Sequence, residues 1–207
     1  MISSNCDPIG RTVKVTYPNN ETLETTYDTT GNKIKEVAYN ASNELVKQTE
    51  WVYDSMKRVT QIKKLRTLQG VTDEALTTYT YSAFGDLITV QDPSGFIVTY
   101  SYDSMGNKTK TSYANEHEID YTYTLGGQLK EKYYSSKSSD PFNLFTVREI
   151  YTYTKDGKLQ TKVDNPPVSE SENKKTETYR YTNGLLTEKT VTLSSKVGLS
   201  EQVHDLD

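Results

Sequence analysis

Tyr100-Ser101-Tyr102-Asp103-Ser104-Met105-Gly106-Asn107 is the stretch that decides the fold. Two aromatic residues separated by one position share a face of a strand, a spacing that a helix does not turn into a single face. The next four residues begin with Asp and end with Gly. That pattern suits a type I turn, because Asp caps nearby amides and Gly accepts positive φ. The octapeptide therefore ends one strand and turns the chain back into the next.

The phrase recurs along the chain. Tyr27-Asp28-Thr29-Thr30-Gly31-Asn32 repeats it, weaker copies begin at Tyr53, Tyr81, Tyr123, Tyr153 and Tyr181, and Cys6-Asp7-Pro8-Ile9-Gly10-Arg11 fits with Cys in the Tyr slot. The starts at 6, 27, 53, 81, 102, 123, 153 and 181 lie 21, 26, 28, 21, 21, 30 and 28 residues apart, so 21 residues is the basic unit. Two positions before the motif Tyr stands another aromatic, as at Trp51, Tyr79, Tyr100, Tyr121, Tyr151 and Tyr179, with Thr25 the exception. We read residues 1–207 as a single array of about eight units and expect a fragment of a longer array. The first phrase starts almost at once, and Gln202-Val203-His204-Asp205 aligns to Tyr-x-Tyr-Asp near the other end.

A second turn falls about halfway along each unit, as Asp92-Pro93-Ser94-Gly95 and, in degenerate form, Tyr17-Pro18-Asn19-Asn20 and Tyr113-Ala114-Asn115-Glu116. The unit is then strand, turn, strand, turn. The longer spacings put extra residues near 38–43, 67–74, 135–143 and 164–174, all at the second turn, which predicts one rim of uniform turns and one of long loops. The fold class expected is all-β: an antiparallel hairpin-ladder sheet, twisted and curled, forming a shell segment or an open β-solenoid-like spiral.

Composition fits a half-wet sheet. Only 33% of residues are hydrophobic, and 17 are Tyr against 4 Phe, so a thick greasy core is not expected. The net charge of -4 comes from scattered residues, without the basic footprint that nucleic acid or an anionic membrane requires. The single Cys6 rules out an intrachain disulfide. A transmembrane barrel is not expected, because its strands need about 9–11 residues with an unbroken apolar face. Here the strands are expected to be shorter, and Lys33, Lys35, Lys108, Lys110, Glu131 and Glu188 interrupt any such band.

These residues resemble the YD-repeat, or RHS-repeat, family, whose signature is Tyr-x-Tyr-Asp-x-x-Gly-Asn or Arg followed by an apolar residue. The resemblance runs from Cys6 to about Leu193. It implies a long β-sheet wound into a hollow shell, as in Rhs and wall-associated proteins, the cocoon-forming subunits of toxin complexes, and teneurins. Such shells enclose a toxic polypeptide or present a surface for cell contact, and carbohydrate binding is often described for them. The resemblance implies a non-enzymatic scaffold, extracellular or at the cell surface, with a carbohydrate- or protein-binding module as the alternative. The implied partners are an enclosed toxin, neighbouring repeats, a glycan or a cell-surface protein, with no nucleic acid, no membrane insertion and no cofactor. The departures are Ser82, Thr124, Thr154 and Thr182 in the Asp slot and Lys57 in the Gly slot, which soften those turns. The self-cleaving core segment of full-length Rhs proteins has no recognisable counterpart.

Reactive residue types are few. Cys6 and His204 both fall in Tyr slots, where structural substitution outweighs nucleophilic or proton-transfer chemistry, since neither has an adjacent base. His117 stands beside Glu116, Glu118 and Asp120, a set that could touch a metal but that more commonly makes a solvated strand face. No catalytic, cofactor-binding or metal residue is assigned, and no ligand-binding residue can be named. Sequons at Asn20, Asn40 and Asn107 matter only in a eukaryotic secretory host. Recurrence of the tyrosine pairs in every unit favours packing over a sugar-stacking platform. Any binding surface is expected to include the long-loop rim at 67–74, 135–143 and 164–174.

Overall fold

The computed structural model describes residues 1–68, 71–136, 148–165, 174–195 and 198–205, and among them are seventeen strands and no helix. The chain divides into two compact units, Met1–Ile97 and Val98–Asp207. The first holds β1 (Ser3–Cys6), β2 (Thr12–Thr16), β3 (Thr22–Tyr27), β4 (Lys33–Tyr39), β5 (Leu45–Tyr53), β6 (Val59–Leu68), β7 (Val71–Tyr81) and β8 (Leu87–Gln91). The second is built from β9 (Ile97–Tyr102), β10 (Lys108–Tyr113), β11 (His117–Tyr123), β12 (Leu129–Ser136), β13 (Arg148–Tyr153), β14 (Leu159–Asn165), β15 (Lys174–Thr182), β16 (Leu185–Ser195) and β17 (Gly198–Asp205). Within each unit every strand pairs antiparallel with the next, so both are hairpin ladders of the expected class, but β5, β6, β7, β15 and β16, at 9, 10, 11, 9 and 11 residues, are longer than expected because their pairing runs on through the extra residues of the unit.

The motif turn has the geometry its residues demand. At Asp28–Gly31 the Asp28 amide donates to the Asn32 carbonyl at 2.9 Å and the Gly31 amide to the Asp28 carbonyl at 3.2 Å, a type I turn closed by a positive-φ residue. The same pair of bonds recurs at Asp7, Asp54, Ser82, Asp103, Thr124 and Thr154. One bulge follows each of these turns: Val52 faces Gln61 and Tyr53 faces Val59, which leaves Thr60 without an opposite number. A bulge adds local twist to the strand, and here it recurs once per hairpin. The last motif turn departs from the expected copy. Thr182 faces Leu185 directly, and Asn183 and Gly184 both have positive φ, the two-residue type I′ solution for Asn-Gly.

Of the four expected long loops, one is strand instead and another is a strand end with a short turn. Residues 38–43 hold the end of β4 and an ordinary four-residue turn, with the Asn43 amide donating to the Asn40 carbonyl at 2.9 Å. Residues 67–74 continue the β6–β7 hairpin to Leu68↔Val71, and only 69–70 lie outside the described residues. Cross-strand pairs hold this extension, with Thr67 and Thr72 hydroxyls 3.1 Å apart and Lys63 2.9 Å from Glu74. Of the other two, Ser135, Asp164 and Lys174 are strand residues, and the remainder of 135–143 and 164–174 beyond Ser136 and Asn165 lies outside the described residues.

The interior is thin. Val37 is the only buried hydrophobic residue among the described residues, and the other buried positions are Thr49, Thr111 and Glu177. Stability must therefore come from ladder bonds, turn chemistry and half-buried side chains. Gly106 has φ 82 and nothing within 4 Å of where a Cβ would stand, so a side chain there meets backbone strain alone. Gly106→Val is expected to cost more than about 1 kcal/mol in urea unfolding. Lys57, forced to φ 63 in the same turn position, gives the opposite sign: Lys57→Gly should raise stability by up to about 1 kcal/mol.

Candidate functional surface

The motif Asp is consumed by its own turn. Asp54 Oδ1 accepts the Met56 and Arg58 amides, at 2.9 and 3.0 Å, while Oδ2 accepts the Arg58 side chain at 2.7 Å. Asp7 with Arg11, Asp28 with Asn32 and Asp103 with Asn107 repeat the arrangement. Partial desolvation pushes the Asp28 carboxyl up, but bonds from Asn32 and Thr30 outweigh it and hold the pKa at about 2. This explains why Asn or Arg follows the Gly: a donor is needed there to occupy the second carboxylate oxygen. Ser82, Thr124 and Thr154 keep the backbone half of the contact, each hydroxyl accepting the amide four residues on.

The motif Tyr reaches into the preceding repeat. Between consecutive hairpins the ladder stops three residues before that Tyr, as at Gln61↔Thr78 before Tyr81 and Glu131↔Ile150 before Tyr153. The strand carbonyls nearest the rim then face no amide. Tyr81 donates to the Val59 carbonyl at 2.8 Å, and Tyr53 to Lys33, Tyr123 to Lys108, Tyr153 to Leu129 and Tyr181 to Leu159 do the same at 2.7–3.0 Å. Tyr27 makes the equivalent bond to Thr12 at 3.3 Å. In each case the acceptor is the sixth residue after the preceding motif start. Phe could fill the same space but could not make this bond, which accounts for Tyr at these six positions.

Ring faces are also occupied. Arg11 and Arg58 lie over Tyr27 and Tyr81 at 4.5 and 4.6 Å, and Lys108 lies 5.3 and 4.9 Å from the centroids of Tyr100 and Tyr121. Lys33 over Trp51, Lys132 over Tyr151 and Lys189 over Tyr179 extend the pattern. On the tyrosine-bearing face of the second unit two carboxylates join in. Glu149 accepts the Tyr151 and Tyr134 hydroxyls and lies near Lys132 and Lys162, while buried Glu177 accepts from Tyr179 at 2.6 Å and pairs with Lys175 and Lys189. The Lys175 contact, followed by Tyr179, brings Glu177 down to about 2, whereas desolvation and then Glu177 lift Tyr179 to about 12. This face is a paired Tyr–Lys–Glu mosaic.

The residues singled out by type are not brought together. Cys6 is exposed, opposite Thr12 with the same register shift as a motif Tyr, its sulfur 4.0 Å from the Thr12 hydroxyl. His117 is an exposed residue of β11, while Glu118 and Asp120 alternate to the other face, where Lys110 holds both. Among the described residues no group of three His, Cys, Asp or Glu could hold a metal ion. The Tyr-slot alignment of His204 needs correcting. The β16–β17 ladder runs on through Lys189↔His204 to Glu188↔Asp205, without the break that precedes every motif Tyr described above, so the local spacing is matched but the register is not. The Asn40 and Asn107 side chains are bound inside their turns, to Glu44 and Asp103, and Asn20 sits exposed at φ 64.

The turn tips differ between rims. At the third turn position the motif rim carries Ile9, Met56 and Phe84 in the first unit, 75%, 60% and 95% exposed, and Met105 in the second, beside Thr30, Gly126 and Asp156 in the remaining turns. The same position of the other turns holds Asn19, Ser42, Ser94 and Asn115.

A family model described as RHS Repeat matches residues 81–118, which span the motifs at Tyr81 and Tyr102 and both intervening turn types. Over those residues the chain matches an RHS-type repeat. No curated protein matches it. Similar solved structures include TcdB2-TccC3, with 12% identity and a TM-score of 0.38 over 99% of this chain. The Tc holotoxin pore of Photorhabdus luminescens has 15% identity and a TM-score of 0.37 over 99%. A porin-like protein of Bacteroides uniformis has 14% identity and 0.31 over 91% of this chain and 96% of its own. The chain spans only 16% of each of the first two. At these TM-scores the fold rests on the ladder itself and on the RHS motif.

Two measurements address this surface. Tyr81→Phe should lower stability by about 0.5–1.5 kcal/mol, the net worth of one hydrogen bond, while Tyr79→Phe, whose hydroxyl makes no hydrogen bond among the described residues, should stay within about 0.5 kcal/mol. The pH dependence has two edges. Glu177, lowered from 4.5 to about 2, stabilises fully above pH 4.5 and loses that contribution as pH falls through 2. Tyr179, raised from 10.0 to about 12, contributes fully below pH 10 and loses it as pH rises through 12. Chemical unfolding across pH should show that plateau, and Glu177→Gln should flatten the acid edge.

Proposed function

We propose that this chain is a non-enzymatic structural segment of a YD/RHS shell, one array of about eight repeats over residues 1–207, that encloses or displays another polypeptide outside the cell or at its surface. The observation that carries the reading is where the polar chemistry is spent. Motif Asp carboxylates close their own turns, motif Tyr hydroxyls tie each hairpin to the previous one, and Glu149 and Glu177 are held by Lys and Tyr on the same face. A wall of paired charges and half-buried tyrosines is rigid and offers little sticky apolar area to a polypeptide alongside it.

Binding remains the second reading, and the apolar tips Ile9, Met56 and Phe84 move it from the long-loop rim to the motif rim, with a protein partner in place of a glycan. Protease accessibility separates the two. In the full-length protein containing this array, a polypeptide carried downstream should resist added protease while the array is folded and be cut once urea unfolds it. Cleavage at the same rate before and after unfolding would remove enclosure as the function.

A further inference from the structure

The residue that follows the motif Gly does not always close its own turn. Where the Asp slot holds Asp, the following Asn or Arg side chain binds back to that carboxylate, as Asn32 does to Asp28 at 2.8 Å. Where the slot holds Thr, the hydroxyl has no second oxygen to offer and the side chain reaches forward. Gln128 Nε2 donates to the Gly157 carbonyl at 2.8 Å, and Lys158 Nζ to the Gly184 carbonyl at 2.8 Å, each on the next motif turn. These two contacts cross the junctions β12–β13 and β14–β15, where the described ladders are short: Glu131↔Ile150 to Tyr133↔Arg148, and Thr161↔Thr178 to Asp164↔Lys175. In β6–β7, by contrast, pairing runs from Gln61↔Thr78 out to Leu68↔Val71.

We infer that Gln128 and Lys158 are straps that hold consecutive hairpins of the second unit together along the motif rim, the role Arg58 fills in the first unit by donating to the Ser82 carbonyl at 3.0 Å. With Thr124 in the Asp slot Gln128 donates to the next turn, whereas Arg58 serves both its own turn and the next. The strap and the tyrosine bond act as a pair at each junction: Tyr153 to the Leu129 carbonyl at 2.7 Å beside Gln128, and Tyr181 to the Leu159 carbonyl at 3.0 Å beside Lys158. Both residues are positioning residues, and the inference holds whatever the array encloses.

Hydrogen exchange on the whole chain tests it, read at the turn amides of Thr154 and Gly157, which bond to the Lys158 and Thr154 carbonyls. Gln128→Ala should speed exchange there by about three- to tenfold, the scale of one surface hydrogen bond. The double substitution Thr124→Asp with Gln128→Asn rebuilds the Asp28–Asn32 turn, so it should keep or raise the melting midpoint while giving the same acceleration at 154–157. A strap predicts that split between global stability and local protection. Unchanged protection at 154–157 in the double variant, or unchanged protection in Gln128→Ala, would overturn it.

Discussion

The structure depends on a gap in its own hydrogen bonding. Successive hairpins pair along most of their length but stop three residues before each motif Tyr, as at Lys14↔Glu24, Lys35↔Glu50 and Lys110↔Asp120. A strand carbonyl left without an amide at a half-buried position costs free energy unless something else donates to it. The tyrosine hydroxyl does this from the following repeat, and the bulge next to each turn sets the strand end at which it can. The repeat is thus a device for ending a ladder cleanly on one rim.

From that constraint the side-chain economy follows. A donor on a long flat ring must lie along the sheet surface, so each ring covers its neighbours and offers its π-face to a cation, supplied by Arg11, Arg58 or Lys158 over the motif Tyr and by lysines over the aromatic two positions earlier. With so little buried hydrocarbon, half-buried rings and alkyl stems do the work that a packed core does elsewhere. Val37, Thr49, Thr111 and Glu177 are the fully covered positions described, and three of the four are polar. A sheet of this kind stays wet on both faces.

The rims show a division of labour. Identical turn geometry appears on both, as at Asp92–Gly95 and Asp103–Gly106, and a bulge stands beside the Asn40–Asn43 turn as well, but the tyrosine bonds described and the apolar tips Ile9, Met56, Phe84 and Met105 are on the motif rim. Extra length enters at the other rim, and in residues 38–43 and 67–74 it is absorbed by lengthening a strand pair rather than by looping out. Lengthening keeps backbone groups paired, which an irregular loop over a sheet does not.

What the sequence determined by itself was local. Turn positions, the shared face of the aromatic pairs, the antiparallel ladder and the need for Gly after Asp-x-x all follow from interactions within about eight residues, where spacing alone fixes geometry. Tertiary structure decided the contacts between repeats: the acceptor of each tyrosine hydroxyl, the direction taken by Arg58, Gln128 and Lys158, and the burial of Glu177 among Lys175, Tyr179 and Lys189. It also decided against His204 as a tyrosine surrogate, since the register of β16 with β17 passes the point where a motif would stop it. The physical reason is register. A strand's partner is set by pairing across the ladder, and a slip of one or two residues leaves every local motif intact while changing which carbonyl, cation or carboxylate stands opposite.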